Sequence, residues 1–325
     1  MIVGDSLYGD VEIEEVLEKL ILSDEIQRLK DVHMAGPAFL LNPLWNETRY
    51  EHSIGVMLLI RKLGGSLEEQ IAGLLHDVSH TAFSHVIDLA LENEADDYHE
   101  HIKSELLTQS TIPELLLTYG YDYEELLVDD TKWTLLEQSA PLLCCDRIDY
   151  TLREVQRYFD VPVSEIKQFL QDIKIVEGKI VLRTTKWALW FIDQYRKVVI
   201  DFFYDPKNIC SYEWMADIIR LALADHLISL ADLMVTDSAF MQTIRAIDSP
   251  NIQQLIQKLE APVSCLRCTE EDSYDIYQKK KTRVVDPLIV RDGKLIAVSL
   301  VSDEAKEKIE QLRSDSEKGI YLKIT

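Results

Sequence analysis

Basic residues are scarce in this chain: 34 Lys and Arg stand against 57 Asp and Glu, a formal net charge of −23 over 325 residues. A surface that acidic repels polyanions, so no duplex nucleic acid and no membrane surface is expected as a partner. A small anionic ligand still fits wherever a few cations converge in one cleft. Long apolar runs are missing too. No stretch of about 18 uncharged apolar residues occurs, which excludes a membrane-spanning helix. The opening MIVGDSLYGDVEIEEV has no basic region leading into an apolar run, so no secretory signal is expected. Cysteine is sparse and odd in number, five in all, with no paired framework, which points to a reducing cytoplasm. Cys265 and Cys268 form a CxxC, but no second pair or histidine pair follows at zinc spacing. Cys144 and Cys145 read as small buried hydrophobes.

What is present is helix. With 47% hydrophobic residues the chain can build a sizeable core, and from about residue 10 to 240 apolar positions recur at three-to-four spacing, as in EEVLEKLILSDEIQRLKDV, RYEHSIGVMLLIRKL and WMADIIRLALADHLISL. Strand signals are few. IKIVEGKIVLR (173–183) and LIVRDGKLIAVSL (288–300) alternate around Glu177-Gly178 and Asp292-Gly293 and read as hairpins, and YLKI (321–324) reads as a further strand. The expected fold is mainly α, with a helical domain over 1–240 and a small α+β C-terminal region over 241–325.

Two helix starts are well marked. Thr48 with Glu51 forms one capping box, Gly64-Gly65 closes that helix, and Ser66 with Glu69 forms a second capping box. The connection is short, so the two helices should run antiparallel. At about 1.5 Å rise per residue, His52 and His76 then lie roughly 18 and 15 Å from the hairpin, at nearly one height on adjacent helices. Asp77 follows His76 directly, so this pair can offer a nitrogen and an oxygen to a common ion.

Seven of the eight histidines fall between His33 and His101. The densest piece, HDVSHTAFSHVID, holds His76, Asp77, His80, His85 and Asp88; His76 and His80 share a face if the helix continues. Imidazole with carboxylate suits a divalent Mn, Fe, Ni, Zn or Mg ion, the nitrogens favouring a transition metal. Asp146, Tyr150 and Glu154, spaced by four, share one helical face. Arg49 sits in the first turn of the His52 helix, where backbone donors also favour anions. Lys279–Lys281 with Arg283 reads as a solvated charged stretch rather than an anion site.

RYEH, then HDVSH, then the aspartate of CCDRIDY resemble the H…HD…D signature of the HD-domain superfamily. TRYEHSIGV, IAGLLHDVSHTAFSHVID and the His99-Glu100 pair are similar to its deoxynucleoside triphosphate triphosphohydrolase branch, over roughly residues 5 to 240 and more weakly in the tail KKKTRVVDPLIVRDGK. The resemblance implies an HD-type helical fold and metal ligation by His52, His76, Asp77 and Asp146. It also implies active-site histidines at His80, His85 and His99, with Asp88 orienting the catalytic His99. Arg49, Arg147 and Arg196 match cations that grip phosphates. Tyr150 matches a tyrosine packed under the sugar, Tyr204 one near sugar and base, and Glu154 stands where the branch has an aspartate on the 3′-hydroxyl. Met34 and Ala35 occupy positions where polar base readers often occur.

The activity implied is hydrolysis of (deoxy)nucleoside triphosphates to nucleoside and inorganic triphosphate by a cytoplasmic homo-oligomer, dimeric or higher. Two alternatives stay open: an HD-type phosphatase of nucleotide monophosphates or another small phosphoester, and a nucleotide-binding regulatory protein with slow hydrolysis.

Overall fold

A computed structural model of the protein describes residues 1–128, 130–261 and 264–325. The Thr48 capping box forms in full. The Thr48 hydroxyl accepts the Glu51 N–H at 3.2 Å and the Glu51 carboxylate accepts the Thr48 N–H at 3.0 Å. The helix Arg49–Lys62 runs from this cap to Gly64, whose φ of 86° lies where side chains are strained and reverses the chain. Ser66 accepts from Glu69 N–H at 3.2 Å and opens the antiparallel partner, Leu67–Leu75. Gly73 lets the two approach, since a Cβ there would stand 2.5 Å from Ile60 Cδ1.

Two local expectations are corrected here. The second capping box is only half made, because Glu69 turns its buried carboxylate onto the backbone N–H groups of Leu135 (2.7 Å) and Leu136 (3.2 Å). Two buried donors outweigh one helix-end donor that water can serve. Nor does the second helix continue through HDVSH. It ends at His76, whose Nδ1 bonds the Gly73 carbonyl at 2.7 Å. The chain then passes through turns in which Phe83 and Ser84 take φ of 60° and 56°.

A third helix, Cys145–Tyr158, crosses the Arg49–Lys62 helix at Gly55. A Cβ on Gly55 would collide with the Arg153 guanidinium and the Asp149 carboxylate, so that residue sets how closely this helix carries Asp146 to His52. A large apolar core, from Leu7 to Leu322, runs through the molecule, beside a small separate cluster of Ala35, Ala38 and Phe202.

Both expected hairpins form. Ile173–Val176 pairs antiparallel with Lys179–Leu182, and Leu288–Arg291 with Lys294–Ala297; parallel pairing of Val181 with Leu288 joins them into one four-stranded sheet. A second sheet holds Cys265–Cys268 and Ile276–Gln278 on either side of Ile320–Ile324. The helix Asp303–Glu317 docks through Lys308 on Asp193 (2.7 Å) of the helix Thr185–Arg196. Among the described residues no helix is long and apolar enough to cross a membrane.

Gly55→Ala is expected to lose about 1–3 kcal/mol, the usual cost of forcing a methyl into filled space. Denaturant unfolding of variant and parent would measure it.

Candidate active site

The hairpin and the crossing helix bring His52, His76, Asp77 and Asp146 together. His52 Nε2 is 3.0 Å from Asp146 Oδ1 and 3.9 Å from Asp77 Oδ2; His76 Nε2 is 3.7 Å from Asp146 Oδ1 and 3.4 Å from Asp77 Oδ1. His52, His76 and Asp146 each offer a ligand atom, all within 4.8 Å of one another. His76 Nε2 is buried without a hydrogen-bond partner, and an orphaned imidazole nitrogen beside two carboxylates is what a divalent cation would satisfy. The donor set therefore fits a metal ion. Arg49 meanwhile brings positive charge to Asp77, with Nη1 on Oδ2 at 2.5 Å. Burial pushes the Asp77 carboxyl up, but Arg49 and the adjacent His76 more than offset this and hold it well below the usual range.

His52 is fixed from behind by a residue absent from the sequence expectations. Asp149, fully buried, accepts from His52 Nδ1 at 2.9 Å, Tyr8 Oη at 2.7 Å and Arg153 Nε at 2.8 Å, and Arg153 also reaches Asp5 at 2.7 Å. Bonding at Nδ1 presents Nε2 to the cluster, the usual way a carboxylate orients a ligating imidazole. Its sequence signal was the spacing of three from Asp146, on the side of the helix facing Gly55.

Beside the cluster lie three more imidazoles. His80 stacks on His99 with ring centroids 3.9 Å apart, and His85 meets both edge-on. Burial, reinforced by His85, lowers His99 to about 3, and burial with Arg49 drives His80 down as well, so both are neutral near pH 7. Asp88 bonds His85 Nδ1 at 3.1 Å rather than orienting His99. The reason is local: His85 precedes the short helix Val86–Ala90, so its ring reaches the carboxylate three residues on. The other Asp88 oxygen accepts from Asn93 and from Tyr98 N–H, each at 2.9 Å.

The His/Asp cluster, Arg49, the three imidazoles and Asp88 open into one cavity of about 1160 Å³, which Arg147, Tyr150 and Glu154 also line. Two expected contacts lie elsewhere. Tyr195 points into the core, so Arg196, the next residue round the helix, faces outward onto Asp201 (3.1 Å) and Asp315 (3.6 Å). A π-helical turn over Lys197–Phe202 then aims Phe202 and Phe203 at the cavity, while Tyr204 donates to the Ser316 carbonyl at 2.9 Å. Conversely, the stretch read as solvated, Lys279–Lys281 with Arg283, forms a cavity wall. Asn208, whose buried Oδ1 lacks a partner, lines the cavity as well and had no sequence signal.

Residues 49–153 match the HD domain family. An uncharacterized Bacillus subtilis protein, YdhJ, is 46% identical over 324 residues, 100% of this chain and 99% of that one. The chain belongs to the HD-domain phosphohydrolase superfamily. HD phosphohydrolases are metal-dependent hydrolases, in keeping with the His/Asp cluster. The metal-dependent phosphohydrolase cns2 of Cordyceps militaris is 29% identical over 88% of this chain and 84% of its own. Chicken SAMHD1, named a deoxynucleoside triphosphate triphosphohydrolase, is 30% identical over 38% of this chain and 24% of its own. The structure of a hypothetical protein from Aquifex aeolicus shares the fold, with a TM-score of 0.69 at 18% identity over 97% of this chain and 99% of that one.

Asp149→Ala should weaken metal binding by roughly 10–100-fold, the usual effect of removing the group that orients a ligating histidine. Competition with a fluorescent chelator would measure it, with Asp77→Ala as a comparison expected to lose metal and activity together.

Proposed function

We propose that the protein hydrolyses (deoxy)nucleoside triphosphates to nucleoside and inorganic triphosphate, with His52, His76, Asp77 and Asp146 holding one divalent metal ion. The observation that carries this reading is the Asp88–His85 pair, which opens into the same cavity as the metal cluster and the two neutral histidines. The partial match to SAMHD1 supports the same branch. So does a cavity large enough for a whole nucleotide.

A divalent ion at the cluster would supply Lewis-acid polarisation of a phosphoryl oxygen. The protein's own groups do the rest. Arg49 uses Nε on Ser84 (2.7 Å) and Nη1 on Asp77, leaving Nη2 for an anionic oxygen. Neutral His99 carries an N–H that can bond a further phosphoryl oxygen, while His80 turns Nε2 toward Asp77 Oδ1 at 3.3 Å. His85, with Nδ1 on Asp88, is the proton donor, and Asp88 fixes the orientation of its ring. Water adds to the α-phosphorus and the bond to the 5′-oxygen breaks. That oxygen takes the His85 proton, and the proton released by the water restores His85. Tyr150 and Glu154 share a face with Asp146 and line the wall against which a sugar would rest.

A second reading, phosphatase action on nucleotide monophosphates, is favoured by one observation: Arg196 and Tyr204, two contacts matched to the triphosphohydrolase branch, stand outside the cavity. Product analysis in ¹⁸O water separates the two. Inorganic triphosphate bearing the label is the expected product, and stepwise release of orthophosphate overturns the proposal. His85→Ala should keep its metal and turn over at least about a hundredfold slower, the scale of losing a general acid.

A further inference from the structure

Two guanidinium groups, Arg147 and Arg283, stand in each other's field on the side of the cavity where the Tyr150 and Tyr195 hydroxyls lie 3.4 Å apart. They arrive from unrelated parts of the chain. Arg147 follows Asp146 on the Cys145–Tyr158 helix, while Arg283 ends a strap that leaves the strand Ile276–Gln278 and runs along the cavity. Arg147 is anchored: Nη1 donates to the carbonyls of Leu142 (2.6 Å) and Gln138 (3.3 Å), and Nη2 lies 3.5 Å from Glu137. Arg283 is not anchored in this way. Its guanidinium stacks 5.7 Å from the Phe203 ring, and its carboxylate neighbour Asp96 is 3.7 Å away, too far for a hydrogen bond. Lys280, over the Tyr212 ring at 4.9 Å, adds a third cation to the same wall.

Holding like charges together beside an open cavity is unfavourable unless an anion joins them, and a planar fork with uncommitted donors is the side chain best matched to phosphoryl oxygens. Tyr150 separates this group from the cluster, its ring 6.4 Å from that of His52. A substrate reaching both must carry anionic charge at two places.

We infer that Arg283 with Arg147 and Lys280 forms an anion subsite for the distal phosphoryl groups of a nucleoside polyphosphate, the place in the cavity that Arg196 does not fill. The inference rests on the triphosphate reading above. It assigns the C-terminal strap, outside the matched HD segment, the task of distinguishing a polyphosphate from a monophosphate. Asp96 then acts as a gate charge, holding Arg283 loosely until a stronger anion displaces it.

The test is calorimetric titration of metal-loaded protein with inorganic triphosphate and, separately, with orthophosphate. Arg283→Gln should weaken triphosphate binding by about tenfold or more, the scale of one charge-assisted fork, with little change for orthophosphate. Arg196→Gln, altering a surface ion pair, should bind both like the parent. Asp96→Asn should bind triphosphate more tightly; if Arg283 served only the Asp96 pair, Asp96→Asn and Arg283→Gln would lose thermal stability together and leave triphosphate affinity unchanged. Parental triphosphate affinity in Arg283→Gln overturns the subsite whichever bond the enzyme cuts. If Arg283→Gln loses triphosphate affinity while the parent releases orthophosphate stepwise, the subsite stands and the cleavage reading falls.

Discussion

The site depends on a single buried carboxylate. Asp149 accepts hydrogen bonds from His52, Tyr8 and Arg153 at once, and through them it joins the Arg49–Lys62 helix, the N-terminal segment and its own helix. Removing any partner would leave charge in a place water cannot reach, and breaking a buried pair costs about 3–5 kcal/mol. Gly55 is the steric side of the same constraint, because only a residue without Cβ lets Arg153 and Asp149 lie against the hairpin. The His/Asp cluster is therefore set from its unexposed side. His52 cannot rotate, Asp146 is delivered by the helix that carries Asp149, and His76 is held by the Gly73 carbonyl.

Behind that network two further carboxyl groups lack partners. Both Glu47 oxygens and Glu154 Oε2 are buried without hydrogen bonds. Burial, with Arg153 opposing it, pushes Glu47 up to about 8, and burial with the neighbouring Glu47 charge pushes Glu154 well above its ordinary value. A protonated Glu154 would present a donor to the cavity where an ionised aspartate would present only acceptors. The substitution of glutamate at this position thus changes the kind of hydrogen bond on offer as well as its reach.

Much of this was legible from the residues. The Thr48 cap, the glycine reversal and the spacing to His52 and His76 specify a helical hairpin on their own, because capping chemistry and helical rise are local. Asp146 came from resemblance, since no local rule says which distant carboxylate meets the hairpin. The errors share a cause: each concerned a choice among competing partners. Glu69 had two possible sets of donors, Asp88 two possible histidines, and Arg196 a face decided by its neighbour Tyr195. Arg283 was hidden in a run of charge that composition alone assigns to solvent, and its position depends on a strap whose path follows from strand pairing between Ile276–Gln278 and Ile320–Ile324. Tyr204 follows a π-helical turn that periodicity does not announce, and its hydroxyl goes to the Ser316 carbonyl.

Glu69 lies seven residues before His76, yet its carboxylate grips the backbone of Leu135 and Leu136, and Cys145 N–H in turn bonds the Leu135 carbonyl at 2.7 Å. The anchor sits just upstream of the helix that delivers Asp146. Glu69 thus ties the helix that leads to His76 to the backbone that leads into the Asp146 helix. The half-finished cap at Ser66 is therefore a trade: a bond that would have closed one helix end is given up for a tie between the two elements that carry His76 and Asp146.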